Sequence, residues 1–450
     1  MKLSRTGLVG LVVVAISPWL VSACTATVDD APPAPAPESD AGNDAESTPP
    51  PAPDGGSHDV EQPPLKPAKR LDVTCTGDPC YVAVSGNGGE HFCGVLKDGS
   101  VRCWGRDRRP WDWTGGGALG RGAPATPVEG ATPQPVVGLA DEKVTQISVG
   151  KSYGTCARTS DGDVYCWGYN ESGQLGQDPA THPHLTTPTR VDGLPPVSSV
   201  ALGASTACAI ATDDRRLYCW GLRRSPIGET ATPGESPHFP PQLMSAIPEP
   251  LDEITMATFS FNGKDMNDTI VALRDGGVLV TFGELPLGES SLPAGSTTIP
   301  FEVPGVLRTG AFAYVTTDGV LTQWAPDARA IHLPGAASIV DVAISARYGV
   351  EGRAHIEQQG AVLLASGRLF RWGVNHWGEL GRHPDEASEL AHPVEMPHLE
   401  KPVVSFATTA SATCASLVDG RVACWGSNEN GELGRGKLDE EYHPDAAEIE

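Results

Sequence analysis

The stretch Asp161-Gly162-Asp163-Val164-Tyr165-Cys166-Trp167-Gly168-Tyr169-Asn170-Glu171-Ser172-Gly173-Gln174-Leu175-Gly176 decides the fold. An Asp-Gly pair supplies the positive φ that a tight hairpin turn needs. Val164-Tyr165-Cys166-Trp167 then reads as a strand that is apolar on both faces. A sheet with one wet face would alternate; a sheet sandwiched between two others need not.

The same pattern returns along the chain. Cys103-Trp104-Gly105, Cys219-Trp220-Gly221 and Cys424-Trp425-Gly426 are strong copies, and Phe282-Gly283, Trp324-Ala325 and Trp372-Gly373 are weaker ones. The seven anchors lie 42 to 63 residues apart, and six have a glycine five residues earlier: Gly99, Gly162, Gly277, Gly319, Gly367 and Gly420. Three copies share the loop seen at Asn170 to Gly176: Asn375 to Gly381 and Asn428 to Gly434 are the others. A proline-led segment such as Pro135-Val136-Val137 or Pro188 to Val191 follows, and then a Val/Ala-rich strand such as Val144 to Val149. Repeats at this period mean stacked supersecondary units. Four short strands per repeat predict an all-β, seven-bladed β-propeller over residues 71–450.

The combination of Asp-Gly-x-Val-x-x-Trp-Gly with Asn-x-x-Gly-x-Leu-Gly resembles the regulator of chromosome condensation (RCC1) repeat. The resemblance covers about residues 81–450 and implies a seven-bladed propeller. It is weakest in copies four and five, where Phe282 replaces tryptophan and the Asn-Gly-Leu-Gly loop is missing from copy five. The C-terminal His443 to Ile449 matches the proline-led strand, which the first repeat lacks at its start; residues 445–449 are therefore expected to pair into the first blade.

Ten cysteines follow Cys24. Cys93/Cys103, Cys156/Cys166, Cys208/Cys219 and Cys414/Cys424 each straddle a hairpin turn, as at Lys97-Asp98-Gly99-Ser100, so they face each other across antiparallel strands. Cys75 and Cys80 would close a small loop. Five disulfides are expected, which places the chain in an oxidising compartment. The paired ligand spacing of zinc ribbons is absent.

Residues 1–23 read as an export signal. Lys2 and Arg5 precede an apolar run from Gly7 to Ile16, too short to cross a bilayer. The run leads into Val21-Ser22-Ala23-Cys24, which resembles a bacterial lipobox and implies lipidation of Cys24. Residues 24–70 are rich in Pro, Ala and Asp and are expected to form a disordered, semi-extended linker. Thr25 does not match the aspartate rule for inner-membrane retention. The expected location is the bacterial cell envelope, lipid-anchored at the outer membrane or cell surface.

The net charge of −24 repels phosphate backbones, so nucleic acid is not expected as a partner. The sequence holds no Gly-x-Ser-x-Gly elbow, no His-Glu-x-x-His and no phosphate-cradling glycine loop. No catalytic residue, cofactor or metal is expected, and His182 and His184 read as solvated loop residues. Strand parity puts three departures from the repeat on one face: Arg106 to Gly117 with Trp111 and Trp113, Phe261 to Asp268, and Arg347 to His355 with Tyr348. Trp377 stands at a loop tip where other copies have Ser172 or Asn430. Trp111, Trp113, Phe261, Tyr348 and Trp377 are the candidate contacts for a protein or glycan partner, interfaces being enriched in such rings. The alternatives are an enzyme with its site at the ring axis, and guanine-nucleotide exchange, the role the resemblance implies for eukaryotic relatives.

Overall fold

A computed structural model describes residues 68–449, apart from 87–88, 110–115, 223–237, 246, 248–249, 261–265, 275–276, 284–301, 324–328, 334–337, 349–355, 387 and 398. The described residues build seven four-stranded antiparallel sheets, each a meander of four consecutive strands. The second sheet is representative: Val144–Val149, Gly154–Thr159, Val164–Tyr169 and His184–Arg190. Consecutive sheets pack on one another, and the seventh packs on the first, as in an all-β propeller. Residues 62–450 form one compact unit.

The repeated residues explain the geometry. The anchor tryptophans 104, 167, 220, 372 and 425 sit on the third strands, at most 1% exposed. Each lies in the core between sheets. The glycine after each anchor has φ near +100°, and at Gly168 a Cβ would lie 2.2 Å from the Tyr153 carbonyl oxygen. No side chain fits there. The turn glycines also adopt positive φ, and in the third sheet, which lacks the glycine, Arg215 takes that position at φ 57°. The strain of about 1–2 kcal/mol is accepted at one turn in seven.

The first strands line the axis and do not pair with one another, so side chains bridge them. Ser85 Oγ accepts from Val149 N at 3.1 Å, Ser148 Oγ accepts from Leu202 N at 3.0 Å, and Gln146 bonds both the N–H and the C=O of Val200 at 3.1 Å. Each satisfies backbone groups that would otherwise be orphaned in the interior.

The cysteine pairs 93/103, 156/166, 208/219 and 414/424 are directly opposed on second and third strands, with Cα atoms 4.1 Å apart. Their Sγ atoms, and those of Cys75 and Cys80, are at disulfide distance.

The C-terminal expectation needs correction. Asp439–Glu448 pairs with Val422–Asn428 inside the seventh sheet, with Cys424 opposite Ala447. It does not join the first. The first sheet takes its own fourth strand, Gln134–Pro135, opposite Arg102 and Cys103. The proline-led segment therefore closes each unit and does not open it, so every sheet completes itself from contiguous chain.

Two other contacts hold the chain ends together. On one face, Thr74 N and Thr76 N donate to Val418 O and Asp419 O at 2.7 and 3.0 Å, and Tyr81 N to Gly420 O at 2.8 Å. On the other, the seventh sheet's loop reaches the indole of Trp104.

Candidate docking face

In a four-stranded meander the first–second and third–fourth connections leave from the same side. That side carries the Asn-Gly-Leu-Gly loops, and their order comes from one side chain. Asn170 Oδ1 accepts from Leu175 N at 2.9 Å while its Nδ2 donates to Gln177 O and His182 O, both at 2.9 Å. Asn375 and Asn428 repeat the bond to Leu380 N and Leu433 N. The residue before the leucine clamps the loop tip: Gln174 Oε1 accepts from Ser172 N at 3.0 Å, Glu379 Oε2 from Trp377 N at 2.7 Å, and Glu432 Oε2 from Asn430 N at 2.8 Å. Its own carbonyl then accepts the indole N–H of the next sheet, Trp220, Trp425 and Trp104 in turn, each at 2.9 Å. Each loop thus caps its neighbour.

Burial pushes the Glu432 carboxyl up to about 7, and raises Glu379 as well. Both serve the fold.

The first sheet's long insertion is the same loop in disguise, which the sequence reading missed. Asp107 stands where the others have asparagine: Oδ1 accepts from Leu119 N at 2.8 Å, and Oδ2 from Gly117 N and Ala125 N at 3.1 and 2.9 Å. Ala118 O caps Trp167 Nε1 at 3.0 Å. The signal was Gly117-Ala118-Leu119-Gly120, displaced from Asp107 by the inserted residues.

Around that insertion the face is ordered by charged and aromatic groups. Arg106 pairs with Glu90, which also accepts from the Tyr153 hydroxyl at 2.9 Å. The Arg109 guanidinium lies 4.5 Å over the Tyr169 ring, and its other side pairs with Glu171. Tyr169 meets His184 edge-on at 4.6 Å. His91 is fully buried against Thr155 Oγ1 at 3.0 Å, and burial lowers its pKa, keeping it neutral at pH 7.

Of the candidate contacts, Trp111, Trp113 and Phe261 lie outside the described residues, as does Cys24. Tyr348 ends a first strand, opposite Ile356. Trp377 is half-buried, its ring edge-on to His376 at 5.5 Å. Asp268, at the end of one departure, is structural: its carboxylate accepts from Ala204 N, Ser205 N and Thr206 N at 2.8 to 2.9 Å and from the Thr258 hydroxyl at 2.6 Å.

The axis holds a cavity of about 240 Å³ lined by the first strands, including Ser85, Ser148, Thr255, Ile344 and Phe406. Its carboxylate, Asp341, is bonded at 2.6 Å by Arg70. Arg308 holds Ala68 O at 3.0 Å, and Leu71 approaches Gly367. Residues 68–80 therefore cross the side opposite the capping loops. Among the described residues Asp439, Glu441 and His443 cluster closely enough for a metal. Although burial opposes it, bonds from His443 and Asn428 hold the Asp439 carboxyl down to about 2, and Lys437 adds an ion pair at 3.4 Å. That carboxylate is already neutralised by its own neighbours.

The profile described as regulator of chromosome condensation (RCC1) repeat matches residues 161–210 and 366–416, and a second profile of the same description matches 81–109, 144–174 and 403–432. The chain carries RCC1 repeats. It is 25% identical over 332 residues to the E3 ubiquitin-protein ligase HERC2 of Mus musculus, covering 72% of this chain but 6% of the ligase. Protein pim1 of Schizosaccharomyces pombe is 25% identical over 359 residues, covering 68% of this chain and 63% of pim1. Among solved structures, Prp20p of Saccharomyces cerevisiae has a TM-score of 0.60 at 19% identity, covering 82% and 87% of the two chains. Human WBSCR16 has a TM-score of 0.56 at 20% identity, covering 71% and 85%. These structures share the fold.

Proposed function

We propose that this RCC1-repeat propeller, a wheel of seven blades, is a non-catalytic scaffold that binds a protein partner through the face carrying the capping loops, and that it is displayed from the cell envelope by lipid on Cys24. The observation that carries the reading is the direction of the chain. Residues 68–80 run across the opposite face, so the chain's entry leaves the capping-loop face uncovered. Strand parity assigns the departures from the repeat at 106–117, 261–268 and 347–355 to that same face, which fits a rigid scaffold that presents variable loops.

Protein binding is also the property that the solved relatives bring: Prp20p is described with binding properties to Gsp1p and histones. Five disulfide pairs favour an oxidising compartment. Among the described residues no helix is long and apolar enough to cross a membrane; the attachment proposed is the lipid on Cys24. The axial cavity gives the enzyme alternative little support, because its carboxylate is committed to Arg70.

Two experiments test this. Metabolic labelling with an alkyne fatty acid should mark the full chain and not its Cys24→Ser variant. Crosslinking on intact cells should capture a partner that is lost from a Trp111→Ala/Trp113→Ala/Trp377→Ala variant; capture unchanged by these substitutions removes the proposed face, and capture of glycan alone replaces the partner class.

A further inference from the structure

We infer that residues 68–73 are a detachable strap, latched by Arg70 at the entry mouth of the axial cavity among Asp341, Glu253 and Arg308. The inference concerns the side opposite the proposed docking face and stands independently of that reading.

The first observation is a break in the ring's own pattern. Each first strand has a bulge near its start, and the residue after it takes an equivalent place at the axis. Ala83, Gln146, Ser199 and Ser405 fill that place in four sheets and are neutral. Gln146 bonds Val200 and Ser405 bonds Val84, so they help to close the ring. The fourth, fifth and sixth sheets have Glu253, Arg308 and Asp341 there. Three charged groups in adjacent sheets at an axis are costly unless paired, and part of the pairing comes from outside the wheel.

The second is the group that answers this charge. Arg70 reaches Asp341 Oδ2 at 2.6 Å. Arg308 Nη2 donates to Ala68 O at 3.0 Å, while its Nε has no hydrogen-bond partner among the described residues. Burial pushes the Glu253 carboxyl up to about 7; Arg308 and Arg70 pull it down, and Asp341 and Asp252 push it up. Asp252 is itself paired with Arg215 at 2.9 Å. With Glu253 ionised, the cations Arg70 and Arg308 face two carboxylates; with Glu253 protonated, the latch rests on Asp341 alone. Because Arg70 lowers the Glu253 pKa, ionisation of Glu253 tightens the strap in return, and docking weakens as pH falls through about 7.

The third is light attachment. No residue of 68–80 belongs to a strand, and none of 68–79 is fully buried; Cys80 is the first. Leu71, Val73 and Cys75 alternate with exposed Asp72, Thr74 and Thr76, as in an extended segment laid on the wheel by one row of side chains. Among the described residues its backbone donors begin at Thr74 and Thr76. Residues 68–73 are held by Arg70, by the Ala68 carbonyl and by Leu71 near Gly367. Every sheet is complete without them. Segments with few buried contacts open locally at less than the global cost of unfolding. Release would uncover the entry mouth and lengthen the reach of the upstream chain by about 20 Å.

Trypsin tests this on the folded full chain, cutting after Lys69 and Arg70 when the segment stands free. Rates are taken relative to a free peptide of the sequence 64–74, which removes the protease's own pH dependence. The unaltered chain should be cut more slowly than the peptide, and about threefold faster at pH 6 than at pH 8. Asp341→Asn should speed cutting about threefold at pH 8, the scale of a partly exposed ion pair. Arg70→Gln, which lies outside the wheel and cannot unfold it, should do the same at Lys69, against a peptide with the same substitution, and decides the matter if Asp341→Asn does not fold. Glu253→Gln should be cut at pH 8 as the unaltered chain is at pH 6, with no pH difference left. The inference is overturned if the unaltered chain is cut as fast as the peptide, if Arg70→Gln changes nothing, or if the pH difference survives Glu253→Gln. Early cutting at Arg158, inside a strand, would mean that the wheel itself opens and overturns it too.

Discussion

The indole Nε1 of Trp104 donates to the carbonyl oxygen of Glu432 at 2.9 Å, although the two residues are 328 positions apart. The bond belongs to a series in which each capping loop serves the tryptophan of the next sheet, and here the last loop serves the first sheet. The ends of the chain are joined by the same contact that joins neighbours.

Trp104→Phe keeps an aromatic ring and deletes the donor. It should destabilise by about 1–3 kcal/mol more than a ring-for-ring exchange alone, because the Glu432 carbonyl is left buried and unpaired. Trp372→Phe is the matched control. Its Nε1 has no partner among the described residues, so it should cost only the packing difference. Urea denaturation of both variants measures the gap, and equal losses would refute the capping argument.

Glu432 ties stability to pH. Burial raises its carboxyl from the ordinary carboxylate range to about 7. Between about pH 4.5 and 7 the folded chain keeps a proton that the unfolded chain releases, so this contribution falls as pH rises through that window and is flat above it. Asp439, held down to about 2, acts oppositely, with stability lost only as pH falls below about 4. Glu432→Gln should be tolerated, since Gln174 does the same work in the second sheet. The variant should gain on the order of 2–3 kcal/mol relative to the unaltered chain between pH 5 and pH 8. Denaturation midpoints at those two pH values decide it.

The same substitution at Glu379 should behave differently. Arg371 is completely buried, and burial lowers its pKa to about 10 against the opposing field of Glu379. Gln359 joins them, accepting from Arg371 Nη2 at 3.2 Å and donating to Glu379 Oε1 at 2.5 Å. Glu379→Gln deletes a carboxyl whose pKa burial raises and, with it, the field that holds up the Arg371 pKa, so it should cost more at pH 7 than Glu432→Gln by the amount that this carboxyl compensates the buried cation. A loss no larger than that of Glu432→Gln would show that Arg371 needs no carboxylate.

The buried disulfides predict an order of reduction. The eight cysteines of the four hairpin pairs are fully buried, whereas Cys75 is partly exposed. Mild reductant on the folded chain should release thiols at Cys75 and Cys80 first, with the others alkylated only after denaturant is added. Mass spectrometry of alkylated peptides reads the order directly.

The anchors and cysteines could be read in the sequence because they recur at fixed distance from a turn. Cross-strand geometry then converts spacing into contact, as at Cys156 and Cys166. The phase of the unit could not be read. A periodic pattern does not mark where its period starts, and Pro135 suits the end of one sheet as well as the start of the next. The first capping loop was hidden for another reason: its asparagine is replaced by Asp107 and its Leu-Gly lies beyond an insertion. The docking residues are the least legible part. Loops that depart from a repeat have, by that departure, no second copy to interpret them.

Asp107 and Asn170 occupy the same place with opposite hydrogen-bonding sense. The second oxygen of Asp107 receives two backbone N–H groups, from Gly117 and Ala125. The Nδ2 of Asn170 instead gives its protons to two carbonyls, of Gln177 and His182. Asp107→Asn would aim a donor at two donors, and Asn170→Asp would aim a carboxylate at two acceptors. Each exchange changes no volume, yet each should cost about 1–3 kcal/mol by leaving buried polar groups unpaired. The two loops meet through Arg109, which stacks on Tyr169 and pairs with Glu171, so the double exchange should depart from the sum of the single losses by the coupling between the loops. Thermal unfolding of the two single variants and the double variant measures this. A neutral Asp107→Asn would mean that the insertion re-forms around an asparagine and that charge has no part in ordering the first loop.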